Sequence, residues 1–376
     1  MLEVIKCDYK HLKQKLNPVF QQIPSFDSRK FFIKPNLGGR YPITKGENNG
    51  IDSITAICEI LINLGVKEII IAHSSLLGFG YSKYCNFKDL IKINHYDKLR
   101  KYSNVRLLNL DDIVRTTKTV NDFTFHVPKL LVDENVYYIN LCKMKTHMET
   151  TVSLSLKNQM GLVTLNDRKN MHINNLHSCI AALATVIKPD LNIIDGIVGM
   201  EGNGPHHGGD KKANLIVVGD NPVKTDTLAC YLMGIDYGAV EHIAEAQRVG
   251  VGRFIDQSIK MTYADRVVPF RTPDEAYKKG LKFYVWPSTS CSACIFSLSR
   301  AFDVLLRRHP LKTLKKLFLD ETNVLIGECK GLNIKNRKNI CAVGDCCKNI
   351  VDEGYIHKHL KGCPPKIEDI VKFLEY

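Results

Sequence analysis

The sequence predicts an α/β protein with a mainly parallel or mixed sheet core and a smaller, cysteine-rich C-terminal domain. Three observations predict it. Up to about residue 235, short β-branched apolar runs alternate with stretches of helical periodicity, the pattern of βα units rather than of hairpins. The 376 residues exceed what one hydrophobic core ordinarily organises. Of thirteen cysteines, seven fall after residue 290, so the chain changes character along its length.

Taken in order, residues 30–37, KFFIKPNL, form an apolar strand-like run containing Pro35 near its end. Residues 51–64 carry helical periodicity, and Gly65 is placed to end that helix. Residues 68–72, EIIIA, read as a buried strand. Residues 123–147 hold two extended runs that finish in a polar tip. Residues 176–187 are helical until Pro189, and LNIIDGIVG then reads as a strand with a glycine-rich exit. Residues 213–219 form a further strand, and 221–234 a helix with proline at its start and glycine after its end. After about residue 265 the pattern breaks, which sets the expected domains at 1–265 and 266–376. In the second domain residues 281–285 read as a short strand, and the chain then runs into a basic helix. Ligands of such sheets gather at the carboxyl ends of the strands.

Hydrophobic residues make up 44% and charged residues 24% of the chain, an ordinary globular balance that argues against wholesale disorder. No apolar run reaches the length of a membrane span. The start, MLEVIKCDYK, has no basic-then-apolar signal pattern. The expectation is a soluble, cytoplasmic protein. The net charge of +13 would suit nucleic acid, a membrane surface or an anionic small molecule. The densest patch, Arg307, Arg308, His309, Lys312, Lys315 and Lys316, has the spacing of a solvated helix face and no interleaved aromatics, so nucleic acid is not the expected partner.

With this many cysteines and no export signal, disulfides are not the expected use. Cys58, Cys179 and Cys230 sit in apolar helical patterns, where cysteine acts as a small hydrophobe. The late cysteines differ. Cys291 and Cys294 form a C-x2-C turn at a helix start, Cys346 follows Gly344-Asp345, and Cys363 lies in Gly362-Cys363-Pro364-Pro365. Such a set can hold one metal centre, an iron–sulfur cluster or zinc. Structural zinc usually takes two close pairs, which the second half lacks. Cys347 could replace Cys346, and Cys329 and Cys341 are further candidates.

Four polar motifs mark the larger domain: Lys34-Pro35-Asn36; Lys143-Met144-Lys145-Thr146-His147 with Ser155-Leu156-Lys157-Asn158-Gln159-Met160-Gly161; Asp195-Gly196 with Gly199-Met200-Glu201-Gly202-Asn203-Gly204-Pro205; and Asp220-Asn221-Pro222 with Asp226. Lys34, Lys145 and Lys157 would supply positive charge for a carboxylate or phosphate. Gly202, Asn203 and Gly204 could offer backbone donors. No Walker loop and no dinucleotide fingerprint is present. His147 is the acid–base candidate, and Asp195 and Glu201 could orient it or bind a cation. Each has a plainer reading. Lys34 also fits a solvated strand end, His147 a bonded turn residue, Asp226 a local cap, Asn221 a helix-entry cap, and the pair His206-His207 loop surface.

These motifs, in this order from about residue 30 to 235, resemble the domain of unknown function family 362. That resemblance implies a shared fold and association with iron–sulfur domains, and no particular reaction. The ferredoxin-type C-x2-C-x2-C-x3-C run of some members is missing. The C-terminal stretch CAVGDCCKN…KGCPPKIEDIVKFL is similar to the cluster-binding loops of the small subunits of respiratory complex I and nickel–iron hydrogenases, which implies one [4Fe–4S] cluster.

The expected function is therefore a cluster-dependent oxidoreductase acting on an anionic small molecule, with an electron donor such as a ferredoxin or flavodoxin. Cys291, Cys294, Cys346 and Cys363 would hold the cluster. Catalytic candidates are His147, Lys145, Asp195 and Glu201, and substrate-binding candidates are Lys34, Asn36, Lys157, Asn158, Gly202, Asn203 and Gly204. The rivals are a non-enzymatic electron carrier or cluster-bearing subunit, and a non-redox enzyme with a structural cluster or zinc. Whether a flavin joins the cluster, and the oligomeric state, are left open.

Overall fold

The computed structural model describes all residues except 24–29, 39–45, 76–85, 134, 206, 274–276, 279–281, 287–291, 328, 330–333, 335, 352–355, 357 and 376. The chain divides into two compact units, one of residues 1–76 with 84–272 and one from residue 273 onward.

The first unit holds strands β1 (Leu2–Lys6), β2 (Lys30–Lys34), β3 (Ile69–His73), β4 (Val105–Asn109), β5 (Arg115–Val120), β6 (Phe123–Pro128), β7 (Val136–His147), β8 (Thr151–Ser153), β9 (Leu191–Asn203), β10 (His207–Lys211) and β11 (Leu215–Gly219). Its helices are α1 (Leu12–Gln21), α2 (Ile51–Asn63), α3 (Phe87–Ile93), α4 (Leu130–Asp133), α5 (Ser155–Asn158), α6 (Leu165–Ile173), α7 (Leu176–Val186), α8 (Pro222–Leu232), α9 (Glu241–Arg248) and α10 (Gln257–Thr262). The main sheet runs β1-β11-β9-β7-β2-β3-β4. Strands β9, β7, β2, β3 and β4 are mutually parallel. β11 is antiparallel to β9, and β1 to β11. The link from β9 through the β10 hairpin to β11 is too short for a crossover, so only an antiparallel return is open to it.

The sheet is buried on both faces, and the alternation of side chains shows how. In β2, Phe31 and Ile33 enter one core and Phe32 the other. β3 divides in the same way, with Ile69 and Ile71 opposite to Ile70 and Ala72. One core packs against α1 and α2 through Leu12, Phe20, Ile54 and Leu61. The other packs against α7, α8 and α9 through Leu183, Leu228 and Ile243. Each such side chain contributes about 1.5–3 kcal/mol on burial, which is why near-continuous apolar runs sit here rather than alternating ones. Cys58, Cys179 and Cys230 lie in these cores as expected. Gly65 and Gly234 follow their helices with φ of +85° and +68°, the left-handed ending that glycine permits.

The second unit contains β12 (Tyr277–Lys278), β13 (Phe283–Trp286), β14 (Thr322–Ile326), β15 (Ile340–Val343) and β16 (Lys358–Leu360), with α11 (Ser292–Arg308), α12 (Pro310–Phe318), α13 (Lys348–Val351) and α14 (Ile367–Glu375). Its sheet order is β12-β13-β14-β15-β16, and β13 to β16 are all parallel. Phe283 meets Phe302 edge to face at 4.8 Å between centroids, fastening α11 to the sheet. Four parallel strands release their loops at the same end, and each of those loops carries or leads to cysteine. Among the described residues, no helix is long and apolar enough to cross a membrane.

Candidate functional site

In the first unit, motifs far apart in sequence meet at the carboxyl ends of β2 and β7. Asn158 is their hub. Its Oδ1 accepts from Lys34 Nζ at 3.3 Å and from Asn36 Nδ2 at 3.2 Å. Its Nδ2 donates to Asn140 Oδ1 at 2.7 Å and to the carbonyls of Lys34 and Leu141. Asn140 Nδ2 donates onward to Asn192 Oδ1 at 3.1 Å, and Asn192 Nδ2 to the Gly219 carbonyl at 3.3 Å. At the head, Lys145 Nζ donates to Asn36 Oδ1 at 2.8 Å and to the Glu47 carbonyl. Every amide in this file points the same way, away from the two ammonium groups, an arrangement in which successive bonds polarise one another.

Burial sets the electrostatics. It lowers Lys34 to about 7, with the Arg168 guanidinium adding repulsion. It lowers Lys145 to about 8, against the opposing pull of Glu47. His73 is pushed well below the ordinary histidine value by burial and by Lys34. Lys34 bonds to the Pro35 carbonyl and to Asn158, which are neutral acceptors. Two lysine ammonium groups with amide partners thus lie together, and the Arg168 guanidinium acts on the first of them.

The neighbouring residues are set by sterics and caps. A Cβ on Gly161 would stand 2.6 Å from Lys34 Cε, so the glycine makes room for the lysine stem. Asp226, on α8, accepts from the backbone N–H groups of Ser155 and Leu156 at 2.8 and 2.9 Å and from the Ser155 hydroxyl. It thereby caps α5, the turn that presents Lys157 and Asn158. Burial raises the Asp226 carboxyl to about 7, although these donors pull it down. Asn221 caps α8 through Val223 and Lys224.

Asp195 and Lys143 make a different node, opposite each other on β9 and β7. The fully buried Asp195 carboxylate accepts from Lys143 Nζ at 3.0 Å, Ser53 Oγ at 2.8 Å and Tyr9 OH at 3.3 Å. Its partner is thus Lys143 and not His147. Glu201 binds the Arg271 backbone N–H at 3.0 Å and Lys211 at 3.5 Å. His147 is buried at the tip of β7, and its Nδ1 accepts from the Glu149 N–H at 3.1 Å. A ring that accepts at Nδ1 carries its proton on Nε2. The glycine-rich turn closes against β7: a Cβ on Gly204 would lie 2.1 Å from the Thr146 carbonyl. Gly202 and Gly204 there serve close backbone packing, with Thr146 Oγ1 donating to the Gly202 carbonyl at 2.7 Å.

In the second unit Cys294 lies in the first turn of α11, after β13. Cys346 follows β15, and Cys363 follows β16. The two later loops are bound together: the Gly344 N–H donates to the Leu360 carbonyl, the Asp345 N–H to the Gly362 carbonyl, and the Gly362 N–H to Asp345 Oδ1 at 2.8 Å. Gly344 has φ +107°, and a Cβ there would sit 3.4 Å from Cys294 Sγ. Cys346 and Cys347 differ in burial. Cys346 and Cys363 are exposed. Cys347 is buried in the core, its thiol directed at the Gly327, Leu325 and Val343 carbonyls. A hydrogen bond between Cys347 and Cys329 lowers the first thiol and raises the second. Cys341 is buried on β15, its thiol pushed up to about 12 by burial. Cys291 and His206 lie outside the described residues. Among the described residues, no three His, Cys, Asp or Glu side chains converge on a single-ion site.

The family model described as a domain of unknown function, DUF362, matches residues 32–231, just over half of the chain. The chain belongs to the DUF362 family. The matched span holds every residue of the asparagine file and its caps, while Cys294, Cys346 and Cys363 lie beyond it. A thylakoid-associated protein of Synechocystis sp. is 29% identical over 119 residues, covering 30% of this chain and 37% of that protein. A Thermotoga maritima protein of known crystal structure covers 55% of this chain and 54% of its own at a TM-score of 0.31 and 11% identity. Within the DUF362 network, several residues had no motif to announce them. Asn49, whose Oδ1 accepts from the Asn36 N–H at 2.8 Å, is buried in the polar run of residues 46–50, and Asn140, Asn192 and Arg168 are buried or half-buried polar groups in apolar or plain helical stretches. Asparagines inside β-type runs, as in YYIN and LNII, are the signal that could have found two of them.

Proposed function

We propose that this chain is an iron–sulfur oxidoreductase that uses one [4Fe–4S] cluster to exchange electrons with an anionic small molecule. What carries the reading is the set of cysteine-bearing loops at one end of four parallel strands, with Cys294 Sγ lying beside Gly344, 3.4 Å from where a Cβ would stand. Cys294, Cys346 and Cys363, with Cys291, supply thiolates of the kind that ligate such clusters. The exposed positions of Cys346 and Cys363 fit that use, and the buried, hydrogen-bonded Cys347 does not. A cluster of this type supplies single-electron transfer.

In the same proposal the DUF362 unit binds the substrate. Lys34 and Lys145 take a carboxylate or phosphate group, and Asn36 and Asn158 fix the two ammonium groups; the Lys157 ammonium lies instead within electrostatic reach of His177 and His242. His147, its Nδ1 bonded to the Glu149 N–H, serves as the acid–base group through Nε2. A ferredoxin or flavodoxin is the class of electron donor. The test is anaerobic purification followed by iron and sulfide analysis and electron paramagnetic resonance after dithionite. The expected result is about four iron and about four sulfide per chain with a reducible signal. Zinc without visible absorption would remove the redox reading and leave a binding or transfer role.

A further inference from the structure

The basic helix singled out in the sequence is used by neither site, and its structure differs from a solvated helix face. On α12 the residues Thr313 and Leu317, four apart, are buried against the second unit. The opposite face should then be polar. Instead Leu311 is 83% exposed, Leu314 43%, Phe318 43% and the following Leu319 64%. Leu311, Leu314 and Phe318 are spaced three and four apart and form one ridge. Leu306 at the end of α11 is also exposed. One isolated exposed leucine needs no explanation, but a contiguous ridge does.

The ridge is flanked by cations. Arg307, Arg308, Lys312 and Lys315 are exposed, and residues 304–319 contain no acid. Of the bordering carboxylates, Asp303 pairs with Arg300 at 3.0 Å and Glu375 with His309 at 3.3 Å, and Asp320 follows the ridge directly. Lys316 is turned back to the Leu374 carbonyl. Among the described residues none of the four exposed cations is in an ion pair.

We infer that α12 and the end of α11 dock this protein on an anionic lipid surface. A helix lying in the interface puts lysines at the headgroups and its apolar ridge about 5–10 Å into the acyl boundary. Both halves of this face then have a partner. Nucleic acid would engage the lysines and leave Leu311, Leu314 and Phe318 in water. The net charge of +13 adds attraction towards the same surface.

The experiment is co-sedimentation of the full chain with vesicles of phosphatidylcholine alone and of phosphatidylcholine mixed with phosphatidylglycerol. Binding is expected to the mixed vesicles only. Lys312→Gln with Lys315→Gln should weaken it roughly thirtyfold, since each lysine near an anionic surface is worth about fivefold. Leu311→Ser with Phe318→Ser should leave an attraction that added salt abolishes, whereas the parent chain keeps part of its binding. All four positions are exposed, and unchanged circular dichroism would confirm that both variants fold. Absence of enrichment on mixed vesicles, or equal binding by the parent and both variants, would overturn the inference. Binding of duplex RNA or DNA through the same lysines, with vesicles left unbound, would overturn it in favour of nucleic acid.

Discussion

At the residue scale, Lys34 sets stability against function. Its ammonium is buried, is lowered to about 7 and faces neutral acceptors. Between about 7 and the ordinary lysine value of 10.5, an unfolded lysine holds a proton that the buried one has released. Stability therefore rises with pH across that window, and the contribution is lost as pH falls through about 7. Lys34→Met, nearly equal in volume, should leave thermal stability unchanged or higher and flatten that slope in urea unfolding. The same variant should lose at least about tenfold in affinity for an oxyanion by isothermal titration, because one of two charges is gone. In the parent chain the pH dependence of binding has the opposite sign. A bound anion needs charged lysines, so affinity should fall as pH rises through about 7 and about 8. A flat binding profile would show that neither lysine meets the ligand. Asn158→Ala is the contrasting case. It strips partners from Lys34, Asn36 and Asn140 together, and should cost about 2–4 kcal/mol in urea unfolding. Lys34, Asn36, Lys145 and Asn158 were legible in sequence because charged and amide residues stood at the ends of apolar runs. Asn140 and Arg168 were not, since a single polar residue within a strand or helix does not reveal which face it will occupy.

At the element scale, two short pieces of backbone decide the sites. α5 is only one turn, Ser155–Asn158, too short to be stable by propensity alone. Asp226 holds it by three donors, which explains why an acid belongs inside α8. The Asp226 carboxyl is raised to about 7 from 3.8. A raised acid contributes stability that is complete below its unfolded value and lost as pH rises through its folded value. Asp226→Asn should remove that fall between pH 3.8 and about 7, visible as a flatter profile of melting temperature against pH. An unchanged profile would place the titration elsewhere. The strands and helices themselves were legible from periodicity, and their ends from Gly65, Gly234 and Asn221. The direction of β11 was not, because apolar pattern is blind to direction; the short hairpin return through β10 settles it. Gly344 is the corresponding element in the second unit. At φ +107°, with Cys294 Sγ 3.4 Å from the place of a Cβ, Gly344→Ala strains the backbone beside Cys294. It should lower the iron content of the purified chain while leaving the DUF362 unit folded. Full iron occupancy in that variant would separate the Gly344 loop from cluster binding.

At the scale of the whole molecule, the question is whether the two units serve one reaction. Each carries its own chemistry: thiols at the strand ends of the second, and paired lysines at the strand ends of the first. The change of character after the first unit was legible in the uneven cysteine count, and the parallel order of β13 to β16 was not, because its strands are short. Three variants distinguish the possible relations. Cys363→Ala removes an exposed thiol next to the Gly344–Gly362 clamp, and should abolish both the paramagnetic signal and turnover of an anionic substrate. Cys347→Ala removes a buried thiol directed at the Gly327 carbonyl, with those of Leu325 and Val343 close by, and should keep the signal while costing about 1–3 kcal/mol of stability. Lys34→Met should keep the signal at full intensity and lose turnover. Electron transfer to an artificial acceptor that Lys34→Met leaves intact, with no metabolite bound by the parent chain, would make the protein a carrier whose DUF362 unit recognises a partner. Turnover that survives Cys363→Ala would make the metal structural and move the chemistry wholly to the lysine and asparagine file. Loss of turnover in both Cys363→Ala and Lys34→Met, with the signal lost only in the first, is the outcome that a single reaction spanning both units requires.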